Sequence, residues 1–322
     1  MLLSATQNRI KRALANSAAG QDLIGQIDGG NFGTAWFVDP FFGKSTNDGR
    51  TWATAFSTMA AALTACATGD TIYFRGNVRE ECVGSNLKFD ITIVGCGSLH
   101  HPDQPSSAYD PAGAMWRAPA SPTAATPLLE VRGRGWNFIN IAFDCPVDKA
   151  AVLLQANALS DVSEYDASHA SFIGCDFQQG LGAVEDNGGC THVTFQGCTF
   201  RAMTPAGAKA IYGSSTAVRL PQNWLIENCN FPGPSASGGN ECHIDAALSG
   251  SIIRGCTFGT VEGTALYIDL TGGGGNIVTG NLLGGAYEAS DYVAGTADLW
   301  YGNRCVVTVT TAPDGVTLAV PA

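Results

Sequence analysis

Charge is scarce in this 322-residue chain: Asp, Glu, Lys and Arg make up only 14% of it, and 17 basic against 28 acidic residues leave a net charge of −11. A surface of that sign repels phosphate backbones, which excludes DNA and RNA as ligands. Long apolar runs are missing as well. No window approaches the roughly 18 consecutive apolar residues of a spanning helix, so no membrane insertion is expected. The first residues, Met1-Leu2-Leu3-Ser4-Ala5-Thr6-Gln7-Asn8-Arg9, turn polar too early for the apolar core of a signal peptide. Synthesis and assembly in a cytoplasm are expected. None of the 11 cysteines forms a CxxC pair, so the thiols are expected to be reduced, buried and apolar in behaviour rather than disulfide-bonded or zinc-binding. There is no Ser-His-Asp arrangement and no phosphate loop. The run Gly272 to Gly275 lacks the following helix that a phosphate cradle needs and reads as a flexible turn. No metal and no cofactor is expected.

What is abundant is glycine, 40 residues of it, and much of it sits in a repeat. The pattern is apolar, any residue, Gly or Asn, then usually Cys or Asn, any residue, and often Phe. It appears as Phe172-Ile173-Gly174-Cys175-Asp176-Phe177, Phe195-Gln196-Gly197-Cys198-Thr199-Phe200, Ile226-Glu227-Asn228-Cys229-Asn230-Phe231 and Ile253-Arg254-Gly255-Cys256-Thr257-Phe258, with looser copies before and after. The fourth position falls at 96, 141, 175, 198, 229, 256, 281 and 303, in steps of 45, 34, 23, 31, 27, 25 and 22. A minimum near 22 with irregular excess is what a coil of fixed circumference gives when loops are inserted into it. The first position is apolar and faces inward. The third tolerates the positive φ of a sharp bend between strands. The fourth and sixth return to the core by strand alternation. Coils stacked at about 4.8 Å then place like on like. Cys175, Cys198, Cys229 and Cys256 form one internal ladder, and Phe143, Phe177, Phe200, Phe231 and Phe258 another. The fold class expected is all-β: a single-stranded right-handed parallel β-helix, a solenoid, over residues 32–305.

A solenoid needs capped ends. Asn47-Asp48-Gly49-Arg50-Thr51-Trp52 leads into a helix in which Phe56, Met59, Ala60 and Leu63 recur at helical spacing, giving an N-terminal cap over 47–69, and Asp70-Thr71-Ile72-Tyr73-Phe74 reads as a strand. With the extended Trp36-Phe37-Val38-Asp39 before it, this entry resembles that of pectin-lyase-like β-helix proteins. The resemblance implies fold only, since that fold carries lyases, hydrolases, adhesins and viral spikes. Residues 306–322 read as two strands about Pro313-Asp314-Gly315 and are expected to cap the last coil or pair with another subunit.

Residues 1–31 read as a separate helical leader. Ser4 to Gln7 is a capping box, Ile10 and Leu14 share a face, Arg9, Lys11 and Arg12 gather positive charge, and Leu23, Ile24 and Ile27 are apolar in a second short helix. The leader resembles N-terminal segments of bacteriophage virion proteins. That resemblance implies an anchor to a phage capsid or tail protein through Arg9, Ile10, Arg12, Leu14, Leu23 and Ile27, a place on the virion surface as a head decoration or spike, and a homotrimer.

Chemistry is suggested only by another strand of each coil: Val184-Glu185-Asp186, Ile211-Tyr212, His243-Ile244-Asp245 and Tyr267-Ile268-Asp269. Alternation turns Ile211, Ile244 and Ile268 inward and sets Tyr212, His243, Asp245, Tyr267 and Asp269 on an outer face. Rings beside carboxylates suit a host-surface polysaccharide, so Tyr212, His243 and Tyr267 are the candidate glycan contacts. Asp245 and Asp269, one coil apart at roughly 5 Å, match the spacing of a retaining glycosidase, and Glu185 or Asp186, about 10 Å from Asp245, approaches that of an inverting pair. No clear aspartate cluster paired with a nearby catalytic Arg or Lys, of the kind that calcium-dependent pectate lyases have, is visible. His169 and His192 read as loop residues, and His100-His101 lies in a Pro-rich insertion over 98–127. The functional expectation is a structural phage appendage that binds glycan and is not an enzyme, with a tail-spike polysaccharide depolymerase as the alternative.

Overall fold

The computed structural model describes residues 33–97, 113–122, 126–145, 149–156, 165–178, 180–201, 208–213, 219–233, 242–259, 267–284 and 292–305. The leader, most of the 98–127 insertion and the 306–322 tail lie outside them. The described chain winds as a right-handed parallel β-helix. Each coil visits three sheets in turn. Among the described residues the first has ten strands, the second nine and the third eight, and the strand pairings are parallel throughout.

The repeat supplies the first two sheets. Its apolar first position stacks in the first sheet, with Phe138, Phe172 and Phe195 facing one another at ring-centroid distances of 4.8 and 5.0 Å. Its sixth position stacks in the second sheet: Phe143, Phe177, Phe200, Phe231 and Phe258 follow at 5.1, 5.0, 4.6 and 4.7 Å, nearly parallel. These rings are 0–2% exposed. Burying one is worth about 1.5–3 kcal/mol, and each stacked pair adds about 0.5–1.5. The fourth position lies inside the bend between the two sheets. Cys198 lies against both Cys175 and Cys229, and its Sγ donates to Phe172 O at 3.3 Å. Burial pushes the Cys198 thiol well up, so it stays protonated. Ten cysteines are free and buried. Where the ladder changes to Asn281 and Asn303, the amides continue it by hydrogen bonding: Asn281 Oδ1 accepts from Cys256 N at 2.8 Å and Asn303 Oδ1 from Asn281 Nδ2 at 3.0 Å.

The bend itself is made by the third position. Asn140, Gly174, Gly197, Asn228, Gly255, Gly280 and Gly302 all have φ between 53° and 66°. Gly95 is the exception to the expectation, because its φ is not positive. It is needed there for space, since a Cβ on it would meet Asn140 O at 2.0 Å. The run Gly272 to Gly275 is tied in rather than free, with Gly274 bridging both Ser249 and Thr296.

The N-terminal cap differs in detail from the sequence reading. Its helix is Met59–Ala65, capped by Thr58, whose side chain accepts from Ala61 N. Phe56 precedes the helix and pairs with Val38, and Ala62 rather than Ala60 is buried. Glu80 accepts from Met59 N and Ala60 N at 2.8 and 2.9 Å, a carboxylate at the positive end of the helix, and Lys88 Nζ donates to Leu63 O and Thr64 O at 2.5 and 2.9 Å at the negative end. Asp70 joins helix end, first strand and second strand by accepting from Ala67 N, Thr34 N and Trp36 Nε1.

Candidate functional site

The third sheet sets one outward position of each coil directly above the last. In register these are Val83, Glu130, Leu153, Glu185, Tyr212, Asp245, Asp269 and Val293. Eight stacked strands make a row about 34 Å long. The inward partners are Val152, Val184, Ile211, Ile244 and Ile268, each 0% exposed. This apolar-polar alternation is why the register cannot slip by one residue without turning the carboxylates into the core.

Glu185, Tyr212, Asp245 and Asp269 thus stand on four consecutive coils, as their residue types require. Tyr212 OH donates to Glu185 Oε2 at 3.0 Å. Its ring lies over Gly182, where a Cβ would meet Tyr212 Cε1 at 2.3 Å. Burial, followed by the Glu185 charge, holds the Tyr212 phenol well above its ordinary value, so it is a permanent donor. Lys209, on the same strand as Tyr212, makes a short ion pair with Asp245, each side chain about one-third exposed. Asp269 Oδ1 accepts from Thr271 N and Oγ1 at 2.9 and 2.5 Å.

Two of the expected glycan contacts are not on this face. His243 and Tyr267 are 4% and 3% exposed. Tyr267 immediately precedes the strand Ile268–Asp269, and His243 is the second residue of the strand Cys242–Asp245, where it and Ile244 are buried in succession, so strict alternation does not hold there. His243 packs among Phe231, Phe258 and Tyr267 at 5.5, 5.7 and 5.9 Å, and its Nε2 lies 3.2 Å from Gly259 O. Burial lowers its pKa to about 4, so the ring is neutral. Tyr267 stacks on Tyr292 at 5.2 Å. Asp186 is also inward: it is 0% exposed and accepts from Gly189 N and Cys190 N, and burial raises its pKa. His169 and His192 lie between strands as expected, at positive φ, with their rings stacked at 4.7 Å. The expected anchor residues Arg9, Ile10, Arg12, Leu14, Leu23 and Ile27, and His100-His101, lie outside the described residues.

Two aspartates pair with arginines on the outer face of the second sheet. Asp144 pairs with Arg117 at 2.7 Å. Asp176 takes a two-pronged bond from Arg201, Nε at 2.8 Å and Nη2 at 2.6 Å, and a third from Gln178 Nε2 at 2.9 Å. The two carboxylates are on neighbouring coils and are 3% and 2% exposed. Each is matched by a guanidinium, which makes this a closed structural network. The signal was in the repeat: its fifth and seventh positions face outward, and Asp144, Asp176 and Arg201 occupy them.

The row on the third sheet offers an acceptor-rich strip with a fixed phenol, an ammonium and aliphatic steps at Val83 and Leu153. That suits a chain of hydroxyls and apolar ring faces. Hydrolysis asks for something further, a carboxyl kept protonated as general acid. Here Glu185 accepts from Tyr212, Asp245 pairs with Lys209 and Asp269 accepts from Thr271. Among the described residues no group of three or more metal-ligating side chains is assembled, and no helix is long and apolar enough to cross a membrane.

No protein-family model matches the sequence, and no curated protein matches it. Solved structures do resemble it in shape. The GH136 lacto-N-biosidase of Eubacterium ramulus aligns over 93% of this chain and 68% of its own, at 10% identity and a TM-score of 0.45. A tailspike protein of E. coli bacteriophage HK620, in complex with a pentasaccharide, aligns over 88% of this chain and 52% of its own, at 12% identity and 0.39. The tailspike gp49 of Acinetobacter baumannii bacteriophage Fri1, a capsular polysaccharide depolymerase, aligns over 81% and 59%, at 13% identity and 0.37. The chain spans little more than half the length of either tailspike chain.

Proposed function

We propose that this chain is a β-helical appendage of a bacteriophage particle that holds a host-surface polysaccharide along the outer face of its third sheet. One arrangement carries the reading: Glu185, Tyr212, Asp245 and Asp269 stacked in register on consecutive coils. The coil spacing of about 4.8 Å is close to the advance of one sugar along an extended glycan, so successive sugars meet successive side chains. Binding rather than cleavage is supported by the contacts that already occupy the three carboxylates, from Tyr212, Lys209 and Thr271. The sequence of residues 1–31 supports attachment to a capsid or tail protein through that segment, in a homotrimer. Titrating the full chain with host capsule or lipopolysaccharide tests the binding. Saturable binding, weakened tenfold or more by Asp269→Asn with Tyr212→Phe, supports it, and no binding sinks it. Deleting residues 1–31 tests the attachment, which fails if the shortened chain still joins particles.

A second reading has its own observation. Asp245 and Asp269 are one coil apart, the separation that suits a retaining glycosidase. Release of reducing ends from the polysaccharide, lost in Asp245→Asn, would favour this depolymerase over a binding protein.

A further inference from the structure

The row on the third sheet does not end in open solvent. At its N-terminal end Val83 runs into a groove of about 540 Å³ between the capping helix and the loop that follows the first strand of the third sheet. That volume is within the roughly 300–1,000 Å³ of small-molecule sites. Leu63 and Val83, the latter 49% exposed, give it an apolar side, and Thr64, Ser85 and Asn86 give it hydroxyl and amide groups. Two cations, Lys88 and Arg132, and one carboxylate, Glu81, stand in its wall.

Arg132 is held in a way that leaves a binding edge. Its Nε donates to Glu130 Oε1 at 2.7 Å, and its guanidinium lies over the Tyr165 ring at 4.6 Å. The plane is therefore fixed, and the two amino groups take no acceptor among the described residues. A fixed guanidinium is suited to a carboxylate, which it can bind with two parallel hydrogen bonds. Lys88 Nζ donates to the two helix carbonyls and to Cys66 Sγ at 3.9 Å, and contributes its charge to the groove. Further along, the row changes sign: Glu185, Asp245 and Asp269 repel a carboxylate-bearing sugar. Among the row and its groove, the groove is the place where acidic sugar meets positive charge.

We propose that this groove is a subsite for an acidic sugar, a hexuronate-type residue at the end or on a branch of the glycan, with its carboxylate on Arg132 and Lys88 and its apolar ring face on Val83 and Leu63. The proposal rests on the reading of the third sheet as a glycan-binding face and names the chemical class bound at that face's N-terminal end.

The test uses the full chain with D-glucuronate and D-glucose as separate probes, followed by saturation-transfer NMR and calorimetry. Glucuronate is expected to bind, glucose to bind at least tenfold more weakly, and the glucuronate affinity to fall at least tenfold in Arg132→Met and several-fold in Arg132→Lys, which keeps the charge and loses the fork. Arg254→Met, on the outer face of the first sheet, is expected to leave glucuronate binding unchanged. Equal affinity for the two probes, no glucuronate binding, or unchanged affinity in both Arg132 variants overturns the subsite. If host polysaccharide still binds and still depends on Tyr212 while glucuronate does not bind, the groove assignment falls and the row assignment stands.

Discussion

The Tyr212 hydroxyl donates to the Glu185 carboxylate at 3.0 Å across one coil of the third sheet, with the phenol ring seated on Gly182. The bond fixes an aromatic face and a carboxylate in one plane of the surface. Tyr212→Phe removes the bond but keeps the ring, so its expected cost in stability is about 0.5–1.5 kcal/mol, with a larger proportional loss in glycan affinity. Gly182→Ala drives a methyl into the ring and is expected to cost about 1–3 kcal/mol by overpacking. Urea denaturation of both variants checks the order.

His243 gives the fold a defined acid sensitivity. Its folded pKa, lowered to about 4 by burial, lies below the ordinary value near 6.5 of the unfolded chain. As pH falls through 6.5 the unfolded state takes the proton first, so stability is lost progressively down to about pH 4 and no further below it. The full loss is about 3 kcal/mol, with nothing lost above pH 7. Thermal melts between pH 4 and 7 are expected to show this slope and to lose most of it in His243→Phe.

The phenylalanine column of the second sheet is the strongest single stabilising feature described. Phe177 stacks on Phe143 and Phe200 at 5.1 and 5.0 Å and is 0% exposed. Phe177→Ala leaves a cavity mid-column and is expected to cost about 3–5 kcal/mol, whereas Phe177→Leu costs less because it refills most of the volume. Chemical denaturation distinguishes the two.

Two ion pairs that look alike in sequence differ in burial. Arg201 pairs with Asp176, which is nearly inaccessible, while Arg254 pairs with Glu227, whose side chain is 16% exposed. Arg201→Ala strands a buried carboxylate and is expected to cost about 3 kcal/mol or more, against about 1 kcal/mol or less for Arg254→Ala. Equal effects would mean that the outer face of the second sheet is wetter than its geometry implies.

The solenoid was legible because its repeat states three constraints at once: an apolar first position, a bend residue at the third and inward residues at the fourth and sixth. Each is a consequence of backbone geometry, and the ladder Cys175-Cys198-Cys229 and the ring column follow from them without loop information. The register of the third sheet was legible too, since Ile244 over Ile268 fixes Asp245 over Asp269. His243 and Tyr267 were misplaced because strict alternation does not hold at the start of these short strands: Tyr267 lies just before its strand, and His243 and Ile244 are buried in succession. Asp144 was missed for a different reason: its partner Arg117 belongs to a coil interrupted by the 98–127 insertion, so no fixed spacing links the two, whereas Asp176 and Arg201 stand on neighbouring coils at repeat positions. The groove beside the capping helix joins segments some 20 to 70 residues apart, and a repeat that begins after it cannot reveal it.

Oxidative footprinting of tyrosines with and without host polysaccharide tests the central claim most directly, because Tyr212 marks the third sheet and Tyr301, 47% exposed, marks the outer face of the first. Saturating polysaccharide is expected to slow Tyr212 oxidation several-fold and leave Tyr301 unchanged. Protection of Tyr301 with none at Tyr212 would place the glycan on another face and contradict the account.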